Sequence, residues 1–174
     1  MEYRITELPE FAVTGKAIRV QTTDGENFRR IPEFWAECND DGTVEYFSDL
    51  AAGRLFPHKA TLGICSDFAR DMSECTYMIG AEKEQDKAID NIRTLTIPSS
   101  TWAVFEAVGP LPGSIQSVWR RIWTEFFGVA EYEHGPAPDF ELYPPCHGIS
   151  AEQRCEVWIP VTKKKDPSVN REKG

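Results

Sequence analysis

The familiar catalytic signatures are missing from this 174-residue chain. It holds no GxSxG elbow, no glycine-rich phosphate loop and no HExxH, the patterns that present a nucleophile, cradle phosphates or seat zinc. Its three histidines, at 58, 134 and 147, sit in loop-like sequence and read as surface residues. Cysteine is sparse and unpatterned. Five, at 38, 65, 75, 146 and 155, make an odd number without repeated short spacing. That argues against a disulfide framework or a CxxC zinc site and suits a reducing cytosol. Cys146-His147 with Cys155 offers three metal ligands but no fourth, so neither metal nor cofactor is expected. No apolar run approaches membrane-spanning length, and Met1-Glu2-Tyr3-Arg4 opens without a signal-like segment. A cytoplasmic location without membrane association is therefore expected. Positive charge is also short: 19 basic residues face 28 acidic ones, a net charge of −9. Nucleic-acid binding rests on cationic neutralisation of phosphates, so direct binding is not expected, whereas cations would be drawn in. The one basic cluster, Lys163-Lys164-Lys165, opens a polar tail (163–174) that reads as a solubilising end.

Strand and helix periodicities alternate along the rest. Phe11 to Val20 alternates around Gly15, which reads as a bend or bulge. Phe28, Ile31, Phe34, Trp35 and Cys38 fall on one helix face, with Pro32 starting or kinking that helix. A short helix follows from Val44 to Ala52. Thr61 to Cys65 and Cys75 to Gly80 read as a hairpin, and the charged stretch from Lys83 to Asn91 as a connector. Ile92 to Ile97 and Trp102 to Val108 read as strands. Ile115, Val118, Trp119, Ile122, Trp123, Phe126 and Phe127 recur at i, i+3, i+4 intervals, the clearest helix of the chain, closed by Gly128. Phe140 to Tyr143 and Cys155 to Val161 complete the strands.

The halves follow one plan of strand, helix, strand, strand. Phe11-Ala12-Val13 matches Trp102-Ala103-Val104-Phe105, and Phe28 to Cys38 matches Ile115 to Phe127. Leu62-Gly63-Ile64-Cys65 matches Phe140-Glu141-Leu142-Tyr143, and Cys75 to Ala81 matches Cys155 to Val161. The fold class expected is α+β: tandem duplicated βαββ units, about 1–82 and 91–162, related by a pseudo-two-fold axis. They would build an antiparallel sheet with helices and a cleft between the halves. In the last strand Val157, Ile159 and Val161 share one face, and Glu156 and Trp158 the other. A carboxylate beside an indole in an apolar strand is either solvated or kept for a polar or cationic partner. If the aliphatic face packs on the helices, the Glu156 face needs cover from loops or a dimer partner.

Several stretches together resemble the GyrI-like (gyrase-inhibitor-like) effector-binding domain. They are Ile97 to Phe105, the turn Gly109-Pro110, the helix Val118-Trp119-Arg120-Arg121-Ile122, Gly135-Pro136 before Asp139-Phe140-Glu141, and Glu156 to Val161. Phe11 to Lys16, Ile31 to Trp35 and Tyr77 to Gly80 resemble its first half, so the likeness covers about 1–162. The resemblance implies a tandem fold with a ligand cleft at the junction of the halves. In drug-responsive transcription regulators this domain follows a helix-turn-helix module. Here strand-like sequence begins at Tyr3, as in a stand-alone member. Members bind hydrophobic, often cationic drugs between aromatics over a buried Glu, a role that falls on Glu156 at the matching position of the last strand. Some relatives hydrolyse cyclopropane-bearing DNA-alkylating toxins.

Three readings follow. The first is a binding protein for a hydrophobic or cationic small molecule, lined by Glu156, Trp158, Trp123, Trp119, Trp35, Tyr77, Tyr143 and Glu141. The second is a hydrolase of strained electrophiles in the same cleft, with Glu156 catalytic and Tyr77, Tyr143 or Glu141 supplying a second group. The third is a protein-interaction module. Oligomer formation stays open.

Overall fold

The computed structural model describes residues 1–83, 92–145 and 153–164. Alternation of apolar side chains organises it into strands β1 (Arg4–Leu8), β2 (Phe11–Gln21), β3 (Thr61–Ser66), β4 (Glu74–Glu82), β5 (Ile92–Ile97), β6 (Ser100–Val108), β7 (Tyr132–His134), β8 (Asp139–Tyr143) and β9 (Arg154–Lys163). All pair antiparallel, in the order β1-β6-β9-β8-β3-β4-β2-β5, and β7 pairs with the far end of β9. The helices are α1 (Glu26–Asp40), α2 (Thr43–Leu50) and α3 (Gly113–Arg121).

The strand order is symmetric about the β3–β8 pair. β4 and β2 flank β3 as β9 and β6 flank β8. The outermost strands are exchanged: β1 pairs with β6 of the second half, and β5 with β2 of the first. Each half thereby covers the open edge of the other, leaving fewer unpaired backbone groups and tying the halves together. The equivalence of Leu62 to Cys65 with Phe140 to Tyr143 sets Gly63 on Glu141, and these two are cross-strand partners. The local two-fold of an antiparallel pair passes between directly opposed residues, so the pseudo-axis passes between Gly63 and Glu141.

One face of the sheet carries the helices. Phe34 and Cys38 of α1 pack on Cys75, Tyr77 and Ile79. Ile115 and Val118 of α3 pack on Ala103, Phe105, Cys155, Val157 and Ile159. The opposite face is aromatic, and Phe56 from the α2–β3 connection closes it. Its ring meets Phe11, Phe140 and Trp158 edge-on at 5.5–5.6 Å, a geometry that aromatic quadrupoles favour.

Three local expectations change. Gly15 interrupts nothing: β2 runs through it, and a Cβ there would strike the facing backbone of Ile79 and Gly80. Pro32 does not start α1 but lies inside it, since the helix's first residue is Glu26, which leaves the kink of the two readings. The aromatic helix does not stay α throughout: after Arg121 it makes a π-helical turn, Ile122–Phe126, and a last turn, Phe127–Val129. The stripe divides accordingly. Ile122 and Phe126 are buried on the sheet, while Trp123 is 52% exposed. π-turns of this kind often re-aim side chains at functional sites. The charged stretch 84–91 and the pair Cys146-His147 lie outside the described residues.

Candidate functional site

Where the halves meet, β3 and β8 form a floor that neither helix covers. α1 stands on one side and α3 on the other, and the cleft between them has a volume of about 1740 Å³. Trp35 rises from α1, Trp119 and Trp123 from the α3 segment, Glu141 and Tyr143 from β8 in the floor, and Tyr77 from β4 beside it.

Glu141 is the centre. It is buried, and its two oxygens take three hydrogen bonds from neutral donors. Tyr77 Oη and Tyr143 Oη donate to Oε2 at 2.9 and 2.7 Å, and Trp119 Nε1 donates to Oε1 at 2.7 Å. Trp35 Nε1 donates in turn to Tyr77 Oη at 2.9 Å, so both helices are tied to the floor through this carboxylate. The Trp35 and Tyr143 rings pack at 4.7 Å between centroids. Three donors suit an acceptor-only, ionised carboxylate. Burial works against them and pushes the Glu141 acid above its ordinary range, which the three bonds only partly offset. Burial, and then the nearby Glu141 charge, pushes both phenols well above theirs. Among the described residues no cationic side chain forms an ion pair with Glu141. The lining cations are exposed: Lys59, which pairs with Asp49, and Arg120.

Gly63 makes this geometry possible. A Cβ on it would overlap Tyr77 Oη and stand 3.0 Å from Glu141 Oε2. Of the two positions on the pseudo-axis, one supplies the carboxylate and the other supplies the space for its partner.

Six of the eight residues selected from the sequence, Trp35, Tyr77, Trp119, Trp123, Glu141 and Tyr143, line this cleft. Glu156 and Trp158 do not. Glu156 is paired across the sheet with Leu142, one step from the Glu141–Val157 pair, and therefore faces the other way. Its side chain is 23% exposed, bonded to Arg4 at 2.8 Å and to Trp158 Nε1 at 2.9 Å. The Trp158 ring stacks on Phe140 at 5.2 Å in the far-face core. The aliphatic face of β9 is the one under α3, so a buried Glu156 at the cleft base is corrected to a partly solvated ion pair.

Three participants in the cleft were not selected from the sequence. Gly63 carries a signal, a glycine inside a strand, which marks a bulge or a close approach. Asp139 and His134 carry none. His134 is not a loop residue but ends β7, where its Nε2 bonds Asp139 Oδ1 at 2.7 Å and its ring stacks on Trp123 at 5.5 Å. The Asp139 bond raises the His134 pKa, and burial raises that of Asp139. Among the described residues no cluster of three His, Cys, Asp or Glu side chains could hold a metal, and no helix is long and apolar enough to cross a membrane.

Residues 1–162 match the GyrI-like small molecule binding domain. The chain belongs to this family. Among curated protein sequences no match is found. Solved structures agree with the family in fold. The structure of SAV2435 bound to tetraphenylphosphonium is similar at 25% identity with a TM-score of 0.80, covering 93% of this chain and 94% of that one. A putative transcription regulation protein from Staphylococcus aureus is similar at 25% identity with a TM-score of 0.74, covering 93% and 99%. The C-terminal domain of EcmrR shares the fold at 19% identity with a TM-score of 0.59, covering 94% and 100%.

Proposed function

We propose that this GyrI-like domain binds hydrophobic organic cations in the cleft, with Glu141 as the anionic anchor and Trp35, Trp119, Trp123, Tyr77 and Tyr143 as the walls. One observation carries the reading: Glu141 is buried under three neutral donors and has no ion pair among the described residues. A buried charge without a counter-charge costs several kcal/mol, and an entering cation would offset that cost. Aromatic faces add about 0.5–2 kcal/mol per cation contact, more as water is excluded. The tetraphenylphosphonium bound by SAV2435, a hydrophobic cation, supports the same ligand class.

The test is titration of tryptophan fluorescence with tetraphenylphosphonium. Wild type should saturate, and Glu141→Gln, which keeps the shape and removes the charge, should bind about 10- to 100-fold more weakly. Glu156→Gln, on the far face, should bind as wild type does. Equal affinity in folded Glu141→Gln would sink the anchor role. Tyr143 Oη at 2.7 Å from Glu141 is also a pairing that a water-adding carboxylate could use. A cyclopropane-bearing alkylator is therefore included. Its recovery unchanged means binding, and a hydrated, ring-opened product means the hydrolase.

A further inference from the structure

Asp139 is a second buried acid in the cleft, and the reading above leaves it unused. It lies two residues before Glu141 on β8, so both side chains leave the same face of the sheet. They are 5% and 9% exposed and both line the cleft. Two residues of antiparallel strand span about 6.8 Å. Asp139 Oδ1 accepts its bond from His134, and among the described residues no other group bonds this side chain. Oδ2 bonds no described residue and is not among the fully enclosed unpartnered polar atoms, so on this nearly buried carboxylate it is the oxygen left open to the cleft. The other titratable groups around it are Glu141 on its own strand and the thiols of Cys65 on β3 and Cys75 on β4, none of which is a cation. Trp123 walls this end, its ring stacked at 5.5 Å on that of His134. The Glu141 end has its own wall in Trp35, Trp119 and Tyr143. The floor thus places two buried acids along a single strand, each at an end of the cleft with tryptophan in its wall.

We propose that the cleft is built for dications, organic molecules with two cationic centres about 7 Å apart, one at Glu141 and the other at Asp139 Oδ2. The proposal rests on Glu141 being a cation anchor and extends it. His134 keeps Oδ1. When neutral it donates a proton there without cancelling the Asp139 charge, and when protonated it does cancel it, so the dication site is strongest above the His134 pKa.

The test is calorimetric titration of the full chain at about pH 8.5, above the ordinary histidine range. The probes are pentyltrimethylammonium and pentane-1,5-bis(trimethylammonium), whose spacer of roughly five methylenes spans such a gap. Shorter and longer bis-ammonium homologues complete the series. In wild type the five-carbon dication should bind about tenfold tighter than its monocation, beyond the roughly twofold gain from having two equivalent heads. The advantage should fall off at a two-carbon spacer and collapse in Asp139→Asn. A dication advantage that survives Asp139→Asn overturns the proposal. So does a wild-type series without a spacer optimum, which decides the matter even if Asp139→Asn does not fold. Monocation binding that is absent, or indifferent to Glu141→Gln, defeats the anchor itself. Anchor-dependent monocation binding with no dication advantage defeats this extension alone.

Discussion

Gly63→Ala adds one methyl group at the pseudo-axis, and the structure sets its consequence. The new Cβ would overlap Tyr77 Oη and lie 3.0 Å from Glu141 Oε2 and 3.1 Å from Tyr77 Cζ. Neither neighbour can easily move away. Tyr77 is fully buried and held by Trp35 and Glu141, and Glu141 is held by Tyr143 and Trp119. Overpacking of a filled core costs about 1–3 kcal/mol. Losing the Tyr77 bond to a charged acceptor costs about 1.5–3 kcal/mol more. Against this, alanine restricts the unfolded chain and recovers about 0.4–1 kcal/mol. The net expectation is a loss of about 2–4 kcal/mol, or a fall in Tm of roughly 5–15 °C for a chain of this size. Thermal and urea unfolding followed by near-UV circular dichroism measure it, since Tyr77, Trp35 and Trp119 all report on the packing. A second variant isolates the cause. Tyr77→Phe deletes the overlapping hydroxyl, so Gly63→Ala/Tyr77→Phe should be more stable than Gly63→Ala alone. A Gly63→Ala protein as stable as wild type, or a double variant no better than the single, refutes the reasoning.

Two further outcomes are expected. Because burial raises the Glu141 pKa, its contribution to stability is present below the unfolded value and is lost as pH rises through the folded one. Cation binding runs the opposite way, since it needs the carboxylate. Affinity for tetraphenylphosphonium should fall as pH drops through the raised value, above the ~4.3 of an exposed glutamate, and Glu141→Gln should flatten the profile. A wild-type profile as flat as the variant's would uncouple binding from this proton. Tryptophans 123 and 158 should separate binding from stability. Trp158, buried in the far-face core, should cost about 3–5 kcal/mol on replacement by Ala. Exposed Trp123 should cost about 0.5 kcal/mol or less in urea unfolding while weakening cation binding by about 0.5–2 kcal/mol. Equal unfolding losses for the two would contradict their placement.

Much of the architecture was legible because it rests on local periodicity. Alternation located β2, β3, β4, β6, β8 and β9, and the i, i+3, i+4 spacing located α1 and α3. The duplication was visible as matching runs, in register for β3 and β8 but two residues out for β4 with β9 and β2 with β6, and the family resemblance came from their order. Short β7 was missed because three residues carry too little alternation to read. The site was half legible. Six lining residues came from aromatic content and strand position, yet the acid singled out was Glu156. Glu141 had the weaker local signal, since alternating Phe140-Glu141-Leu142-Tyr143 reads equally well as a strand with a solvated face.

By itself the sequence determined which residues share a face: Glu156 with Trp158, Glu141 with Tyr143, Val157 with Ile159. Side-chain alternation is a property of the strand backbone and needs no partner. Only the tertiary structure decided which of those faces lies under the helices. That choice depends on which strands become neighbours, and pairing β8 with β9 one residue out of step would invert it. The same pairing brought Gly63 opposite Glu141, residues 78 positions apart in the chain. Their meeting on the pseudo-axis leaves one carboxylate where a fully symmetric duplication would place two, and two like charges in one buried site could not both stay ionised.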